Sequence, residues 1–279
     1  MPNKIIDCFI FYNEMDMLKY RLDYLYDTVD KIILLESTLT FSGVFKELYF
    51  QNNKHLYQKY MDKIIHIIID DLPHDSPNKT AIDNAWIREK LQRNLLDRGI
   101  SQLDLNDNDI IVITDLDEIP DINTLNILKN TPKIDNVAIA LEQDMYYYNL
   151  TCKGKSKWYH PKLVNFYTYK TIFNRSSEDI RTANRYAIIK NGGWHFSYFG
   201  DIKFIQNKIK SFSHQEYNND KYTNESNIIK QVQTCGDLFL RDNENTHHFT
   251  YCKIEENTYL PHTYTDLLKY SDCIIKKDK

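Results

Sequence analysis

The sequence predicts an α/β fold in which helices flank a mixed, mainly parallel sheet. Through residue 115, short runs of apolar, often β-branched residues alternate with segments whose apolar residues recur at helical spacing, as in parallel sheets with crossover helices. Beyond residue 130, strand-like segments follow one another more closely, which indicates further strands of mixed direction. Because neither an internal repeat nor a low-complexity linker divides the chain, we expect one domain over residues 1–279.

Three apolar runs and one helix form the first part of this pattern. Residues 5–12, 31–37 and 64–69 predict buried strands. Between the first two strands, apolar residues at helical spacing predict a helix; they are Met15, Leu18, Leu22 and Leu25. Polar side chains follow the first strand and close the second, at Asn13, Glu14, Glu36 and Ser37. Because ligands of open α/β sheets bind outside the carboxyl ends of the strands, these four residues are candidates for ligand binding.

A longer helix is predicted over residues 81–99, before the fourth strand. Ile87, Leu91 and Leu95 lie four residues apart and predict its buried stripe, and Gly99 suits its C-cap. Arginines also lie on this helix, and most charged residues of such a helix form its solvated face. Arg88 or Arg93 could instead bind a phosphate with both ends of its guanidinium group.

The fourth strand carries the most informative feature of the sequence. Residues 110–113 are continuously apolar, which indicates a strand buried on both faces, and Asp115-Leu-Asp117-Glu118 follows at its carboxyl end. Asp115 and Asp117 are two residues apart on an extended segment and point the same way, so both can reach one Mg²⁺ or Mn²⁺ ion. Acids in such a position can also be helix N-caps. That alternative explains Asp121, which precedes a predicted helix over residues 123–129, but not Asp115, Asp117 or Glu118.

The second half contains further strands and several polar clusters. Strands are predicted over residues 137–150, 163–170 and 186–190, and helices over residues 201–212 and near 228–240. Glu142 and Asp144 share one face of the first of these strands. Trp194 and His195 follow two glycines, which allow close backbone approach, although a lone histidine is more often a hydrogen-bonded core residue than a ligand.

Composition excludes several classes of protein. The formal net charge of -4 and the scattered Lys and Arg residues argue against nucleic-acid binding. The five cysteines include no pair with zinc-ligand spacing, and their odd number fits a reduced chain better than a disulfide scaffold. Because no apolar run approaches the roughly eighteen residues of a membrane span, we expect a soluble, cytoplasmic protein.

Five stretches, in order, together resemble one known family. They are Asp7 to Leu18, Glu36 to Gly43, Asp115 to Pro120, Gly192 to Tyr198 and Ser211 to Asn218. They are similar to glycosyltransferase family 17, the family that includes β-1,4-mannosyl-glycoprotein 4-β-N-acetylglucosaminyltransferase. The resemblance covers most of residues 5–220. Animal members carry an N-terminal membrane anchor that is lacking here, which favours a soluble bacterial or viral type of enzyme, in the host cytoplasm if viral.

The resemblance implies a Rossmann-like GT-A fold and transfer of a sugar with inversion from a UDP-sugar to a glycan or protein-linked glycan. The donor would be UDP-GlcNAc, as in characterised members, or UDP-glucose. Residues 1–120 would form the donor-binding half, and residues 121–279 the acceptor-binding half with the C-terminal helices. Mn²⁺ or Mg²⁺ would be held by Asp115, Asp117 and His195. Candidate donor-contacting residues are Asn13, Glu14, Glu36, Ser37, Arg88, Arg93, Asp115 and Trp194.

An inverting transfer also needs a base that takes the proton of the acceptor hydroxyl. The candidates are Glu142, Asp144 and Glu216, and we favour the first two because they end a strand at the expected sheet edge. For Glu142 and Asp144 the alternative is that they are solvated or salt-bridged acids at the end of a strand.

Two other functions are compatible with part of the pattern. A phosphatase of the haloacid-dehalogenase type also has Asp-x-Asp after a strand and uses the first Asp as nucleophile. Here the motif follows the fourth strand rather than the first, and Gly236, Asp237 and Asp242 match the later acidic motif poorly. A carbohydrate-binding protein that keeps the fold without catalysis is the second alternative.

Overall fold

The structure, a computed structural model, describes residues 2–241 and 248–272. The strands in these ranges are β1 (Ile5–Phe11), β2 (Lys31–Ser37), β3 (Ile64–Ile69), β4 (Ile110–Asp115), β5 (Glu118–Pro120), β6 (Ala138–Tyr147), β7 (Cys152–Trp158), β8 (Lys162–Asn165), β9 (Tyr186–Ser197) and β10 (Phe249–Tyr251). The α-helices are α1 (Met15–Leu25), α2 (Tyr49–Asn53), α3 (Ala81–Asn94), α4 (Asp97–Ile100), α5 (Ile122–Asn130), α6 (Phe166–Thr171), α7 (Ser177–Arg181), α8 (Ile202–Ser211), α9 (Asp220–Thr223), α10 (Glu225–Thr234) and α11 (Lys269–Asp272). Short 3₁₀ helices include Lys54–Tyr60 and Gln215–Tyr217.

The first four long strands form a parallel sheet with β1 at its centre. The order is β4-β1-β2-β3, and β1 pairs with both β2 and β4. Ile110 and Val112 of β4 pack in one core cluster, whereas Ile111 and Ile113 pack in another, so this strand is buried on both faces. The prediction from its continuous apolar run is confirmed.

The second half extends the same sheet with strands of both directions. β8 is antiparallel to β4 and β6, β6 is parallel to β9, and β7 with β10 adds two antiparallel strands. The later part of β9 also pairs with the short β5, so that His195 lies opposite Glu118. The predicted mixed α/β fold with a mainly parallel sheet and flanking helices is therefore confirmed. The single domain over residues 1–279 remains a prediction, and residues 242–247 and 273–279 lie outside the described ranges.

Several predicted boundaries differ from the structure. The strand predicted over residues 163–170 ends at Asn165, whose side chain accepts a hydrogen bond from the Thr168 N–H at 2.8 Å and begins α6. β7 was not predicted, because its alternating lysines carry little apolar signal. The helix predicted near residues 228–240 runs from Glu225 to Thr234, since Cys235 adopts a left-handed conformation with φ of 50°.

The predicted buried stripe of the helix over residues 81–99 is wrong. The helix breaks after Asn94, and Leu91 is 37% exposed. The buried stripe is instead polar and is formed by Asn84, Arg88 and Gln92, four residues apart, with Arg93 beside it. Hydrophobic periodicity assumes an apolar neighbour, whereas this face of α3 lies against polar loops and a cleft.

The described part of the chain contains no helix long and apolar enough to cross a membrane. Its four cysteines, Cys8, Cys152, Cys235 and Cys252, form no disulfide.

Gly193 should be essential for the pairing of β5 with β9. Its φ is +138°, and an added Cβ would lie 2.0 Å from the carbonyl oxygen of Ile119. We expect Gly193→Ala to lower the free energy of unfolding by at least about 1–3 kcal/mol, the usual cost of such backbone strain. Urea denaturation would measure this.

The matched control is Gly154→Ala in β7, where the nearest contact of an added Cβ is 3.3 Å and φ is not positive. If both variants lost the same stability, the special role of Gly193 would be disproved.

Candidate active site

A cleft of about 470 Å³ opens at the carboxyl ends of β1 and β4. It is lined by the end of β1, the loop after β2, α3, the residues after β4, α7, β9 and α8. Its volume is in the range of about 300–1,000 Å³ typical of small-molecule sites. The ends of parallel strands therefore form a cavity where the sequence predicted ligand binding.

The backbone of the acidic segment after β4 is held by a buried arginine. Arg21 of α1 donates to both carboxylate oxygens of Asp7 on β1, at 2.9 and 2.5 Å. The same guanidinium group donates to the carbonyl oxygens of Asp115, Leu116 and Glu118 at 2.9–3.1 Å. Both Arg21 and Asp7 are almost fully buried. The turn that carries the acids is thus fixed by hydrogen bonds to its carbonyl groups, which leaves its carboxylates available to other partners.

Asp115 and Glu118 face two arginines. Arg181 donates to Asp115 at 2.5 Å and to both oxygens of Glu118 at 2.7 and 2.8 Å, and Arg93 donates to Asp115 at 3.2 Å. Burial raises the pKa of Asp115, and the two guanidinium groups offset only part of this effect. Burial would also raise the pKa of Glu118, but Arg181 outweighs it and lowers that pKa to about 2. Glu118 further accepts from the Trp158 indole N–H at 2.6 Å and has a structural role.

Asp117 points to a different part of the cleft. Lys208 of α8 donates to its Oδ2 at 2.7 Å, and the Nε2 of His195 lies 3.5 Å from its Oδ1. Burial would raise the pKa of Asp117, but Lys208 and His195 hold it far below its usual value. Burial would lower the pKa of Lys208, yet Asp117 and Glu14 raise it. Asp117 is therefore ionised and Lys208 charged at neutral pH.

The predicted metal ligands converge only in part. Asp117 Oδ1 and His195 Nε2 are close enough to bind one ion as neighbouring ligands. Asp115 is turned toward the arginines, and residues 2–241 and 248–272 contain no group of three His, Cys, Asp or Glu side chains that could hold a metal. The residues fit a divalent ion with two protein ligands, completed by phosphate oxygens and water, as is common for Mg²⁺.

Three of the eight candidate donor-contacting residues line the cleft, namely Glu14, Arg93 and Asp115. Glu36 instead accepts from the N–H groups of Phe50 and Gln51 at the start of α2 and contacts His66. The Ser37 hydroxyl accepts from the Leu39 N–H.

The other three are also outside the lining among the described residues. Asn13 lies beside the cleft, where its N–H donates to Glu14. Arg88 is buried and donates to the carbonyl of Phe41 at 2.7 Å and to Asp75 at 2.6 Å, so it holds the loop after β2. Trp194 is buried in the core and donates to the carbonyl of Tyr259.

The three candidate bases also lie outside the lining of the cleft. Glu142 accepts from the hydroxyl of Tyr159 at 3.0 Å. Asp144 is buried and forms ion pairs with Lys153 and Lys157. Glu216 lies next to the cleft, with its Oε1 2.7 Å from the Nδ1 of His214, which does line it.

Several lining residues were not singled out in the sequence, including Lys46, Trp86, Arg181, Lys208 and His214. Arg181 and Lys208 are separated from their acidic partners by 63 and 91 residues. Nothing in their local sequence distinguishes them from solvated basic residues. His214 lies in the Ser211 to Asn218 stretch, whose resemblance to glycosyltransferase family 17 was the only indication in the sequence that this residue belongs to the site.

Comparison with known proteins identifies the class of this site. The family described as Glycosyltransferase family 17 matches residues 1–266. The chain is therefore a glycosyltransferase, and it belongs to glycosyltransferase family 17. No curated protein matches it. Among solved structures, 4-diphosphocytidyl-2C-methyl-D-erythritol synthase from Anaerococcus prevotii DSM 20548 is similar with a TM-score of 0.36 and 10% identity, over 67% of this chain and 87% of that chain.

Arg181 should stabilise the protein through its two acidic partners. We expect Arg181→Met to lower the free energy of unfolding at pH 7 by about 3–5 kcal/mol, because it leaves the buried Glu118 carboxylate without its cation. Since the folded pKa of Glu118 is depressed to about 2, the stabilisation is complete above its unfolded pKa of about 4.3 and disappears as the pH falls toward 2. The difference between wild type and variant should therefore shrink between pH 7 and pH 3, as measured by urea denaturation.

Arg98→Met is the control, because Arg98 pairs with Asp71 at the surface, where both side chains are about half exposed. Its effect should stay within about 1 kcal/mol. An Arg181→Met difference that is independent of pH would disprove the role of Glu118.

Proposed function

We propose that the protein transfers a sugar from a UDP-linked donor to a hydroxyl group of a glycan acceptor, with inversion at the anomeric carbon. The main support is the meeting of Asp117, His195 and Lys208 at the carboxyl end of β4, within the cleft of a family 17 chain. GlcNAc is the first candidate for the sugar and glucose the second. These sugars differ at one substituent.

The lining of the cleft suits a nucleotide-sugar. Aromatic side chains that can pack against a base or sugar ring come from Tyr12, Phe41, Trp86 and Trp158. Positive side chains that can contact phosphate come from Lys46, Arg93, Arg181 and Lys208. Burial lowers the pKa of Lys46 to about 8, against the opposing effect of Glu36 and Glu14. Anion binding would favour its charged form.

Departure of UDP builds negative charge on the diphosphate, and preorganised charges that face this position accelerate the reaction. Lys208 is held by Asp117 and Glu14 and stays charged, so it supplies one such group. Mn²⁺ or Mg²⁺ bound by Asp117 and His195 would supply further charge neutralisation. Arg93 and Arg181 keep Asp115 oriented.

Asp117→Ala should abolish donor turnover and metal-dependent UDP binding. UDP release from UDP-GlcNAc and UDP-glucose should fall at least about 100-fold, as when a preorganised transition-state contact is lost. The fold should persist because Lys208 keeps Glu14 at 3.6 Å as a partner. Asp27→Ala, at an exposed position of the turn after α1, is the matched control.

Three outcomes of these measurements would contradict the proposed role of Asp117 or the proposed function. Unchanged metal dependence in Asp117→Ala would contradict its assignment as a ligand. Release of inorganic phosphate through an aspartyl-phosphate would identify a phosphatase instead. Glycan binding without turnover of any UDP-sugar would identify a carbohydrate-binding protein.

UDP should also raise the thermal stability of the wild-type protein when Mn²⁺ is present. A ligand at about 100 times its Kd stabilises the folded state by about 2.7 kcal/mol. Thermal-shift measurements with UDP, Mn²⁺ and both together should show a shift for the pair larger than the sum of the two. Equal shifts with and without metal would argue against a metal-bridged diphosphate, and AMP serves as the nucleotide control.

A further inference from the structure

The cleft contains several side chains that could take a proton, and their partners distinguish them. The described lining includes the carboxylates of Glu14, Glu89, Asp115, Asp117 and Glu178 and the imidazoles of His160, His195 and His214. If the protein transfers a sugar as proposed above, one group must accept the proton of the attacking hydroxyl. Such a group needs a free lone pair that faces the cleft and a neighbour that holds it in place.

All five carboxylates are paired with cations. Glu14 and Asp117 contact Lys208, whereas Asp115 contacts Arg93 and Arg181. Glu89 and Glu178 contact Arg93 at 2.8 and 2.5 Å. Burial raises the pKa of Asp115, but each of its two oxygens accepts a hydrogen bond from one of its two arginines, at 3.2 and 2.5 Å, so neither oxygen is free of a cation. These acids are therefore better suited to holding cations in place than to accepting a proton.

Two of the three histidines lack the required arrangement. His195 faces Asp117 with its Nε2, its ring packs on Trp158 with centroids 4.8 Å apart, and its Nδ1 is buried, so neither nitrogen is open to an acceptor. His160 packs on the same indole at 4.5 Å, and within the described ranges no carboxylate orients either of its nitrogens.

His214 lines the cleft and has a carboxylate that holds its ring. Its Nδ1 lies 2.7 Å from Glu216 Oε1, and its ring packs edge-on against Trp86 at 4.7 Å. Because an ionised carboxylate only accepts hydrogen bonds, it selects the tautomer with the proton on Nδ1, which leaves the Nε2 lone pair available. The side chain is 44% exposed, and within the described ranges Nε2 makes no hydrogen bond. We propose that His214 is the general base of the transfer and that Glu216 is the residue that positions it.

In this step the acceptor oxygen forms a bond to the anomeric carbon as the bond from that carbon to the diphosphate oxygen breaks. The electron pair of the broken bond leaves with UDP. The hydroxyl proton moves to His214 Nε2, and the imidazolium is stabilised by Glu216 until it releases the proton to solvent. The predicted candidate Glu216 would thus act through His214 rather than on the acceptor itself.

Four variants test this assignment through UDP release from UDP-GlcNAc and UDP-glucose, with water as acceptor. His214→Ala should lower kcat about 10²–10⁴-fold, the usual contribution of a general base, with the donor KM within threefold of wild type. Added imidazole should restore part of the lost rate. Glu216→Gln should cause a smaller loss in kcat, again without a change in KM, and His214→Ala/Glu216→Gln should be no slower than His214→Ala. His55→Ala, exposed on the 3₁₀ helix Lys54–Tyr60, is the control.

Three results would overturn the assignment. A His214→Ala variant with near-normal kcat would do so, as would one whose defect is confined to the donor KM, since His214 would then bind the donor. Loss of turnover in Glu142→Gln but not in His214→Ala would identify Glu142 of β6 as the general base instead. If the wild-type protein turned over neither donor and bound no UDP, the proposed function would fail first, and the base with it.

Discussion

The geometry of the site depends on the buried pair of Arg21 and Asp7. Burying a guanidinium group is costly unless its N–H groups are satisfied, and here they are shared between a carboxylate on β1 and the carbonyl groups after β4. The pair therefore connects β1 with the carboxyl end of the neighbouring strand β4. Because Arg21 binds the backbone of the acidic turn, the side chains of Asp115 and Asp117 can face opposite parts of the cleft and keep different partners.

This division of partners gives the cleft two electrostatic regions. Arg93 and Arg181 surround Asp115, and Lys208 and His195 surround Asp117. An anionic ligand that binds Arg93, Arg181 or Lys208 therefore meets cations that already have carboxylate partners, whereas Lys46 lines the same cleft without an ion pair in the described ranges. The buried polar face of α3 is part of the same network, because Arg93 of this helix is one of the cations that contact Asp115. Its arginines are buried where loops and acids accept hydrogen bonds from them: Arg88 donates to the carbonyl of Phe41, and Arg93 donates to Glu89 and Glu178.

The first four long strands and the acidic motif could be predicted from the sequence because both depend on local pattern. The apolar run that ends at Asp115 indicated its burial and its position at the sheet edge. Local pattern could not show which side chains meet across the fold. Glu36 also lies near the end of a strand, but the first N–H groups of α2 donate hydrogen bonds to both of its carboxylate oxygens. Arg181 and Lys208 reach the acids from distant elements, and the stripe of α3 was misassigned because its buried face is polar.

The acids of this site are suited to orientation, and this limits what they can do in catalysis. Lys208 and His195 hold the pKa of Asp117 far below its usual value against the effect of burial, so this carboxylate has little affinity for a proton. In the proposed reaction, such charges would neutralise a leaving diphosphate, and the proton of the acceptor would go to a group that is not paired with a cation. His214 lies at the exposed side of the cleft with a carboxylate as its only ionic partner in the described ranges. In this proposal, the groups that neutralise the leaving diphosphate and the group that accepts the hydroxyl proton lie in different parts of the cleft. The cations that favour the first task therefore do not lower the proton affinity of the base.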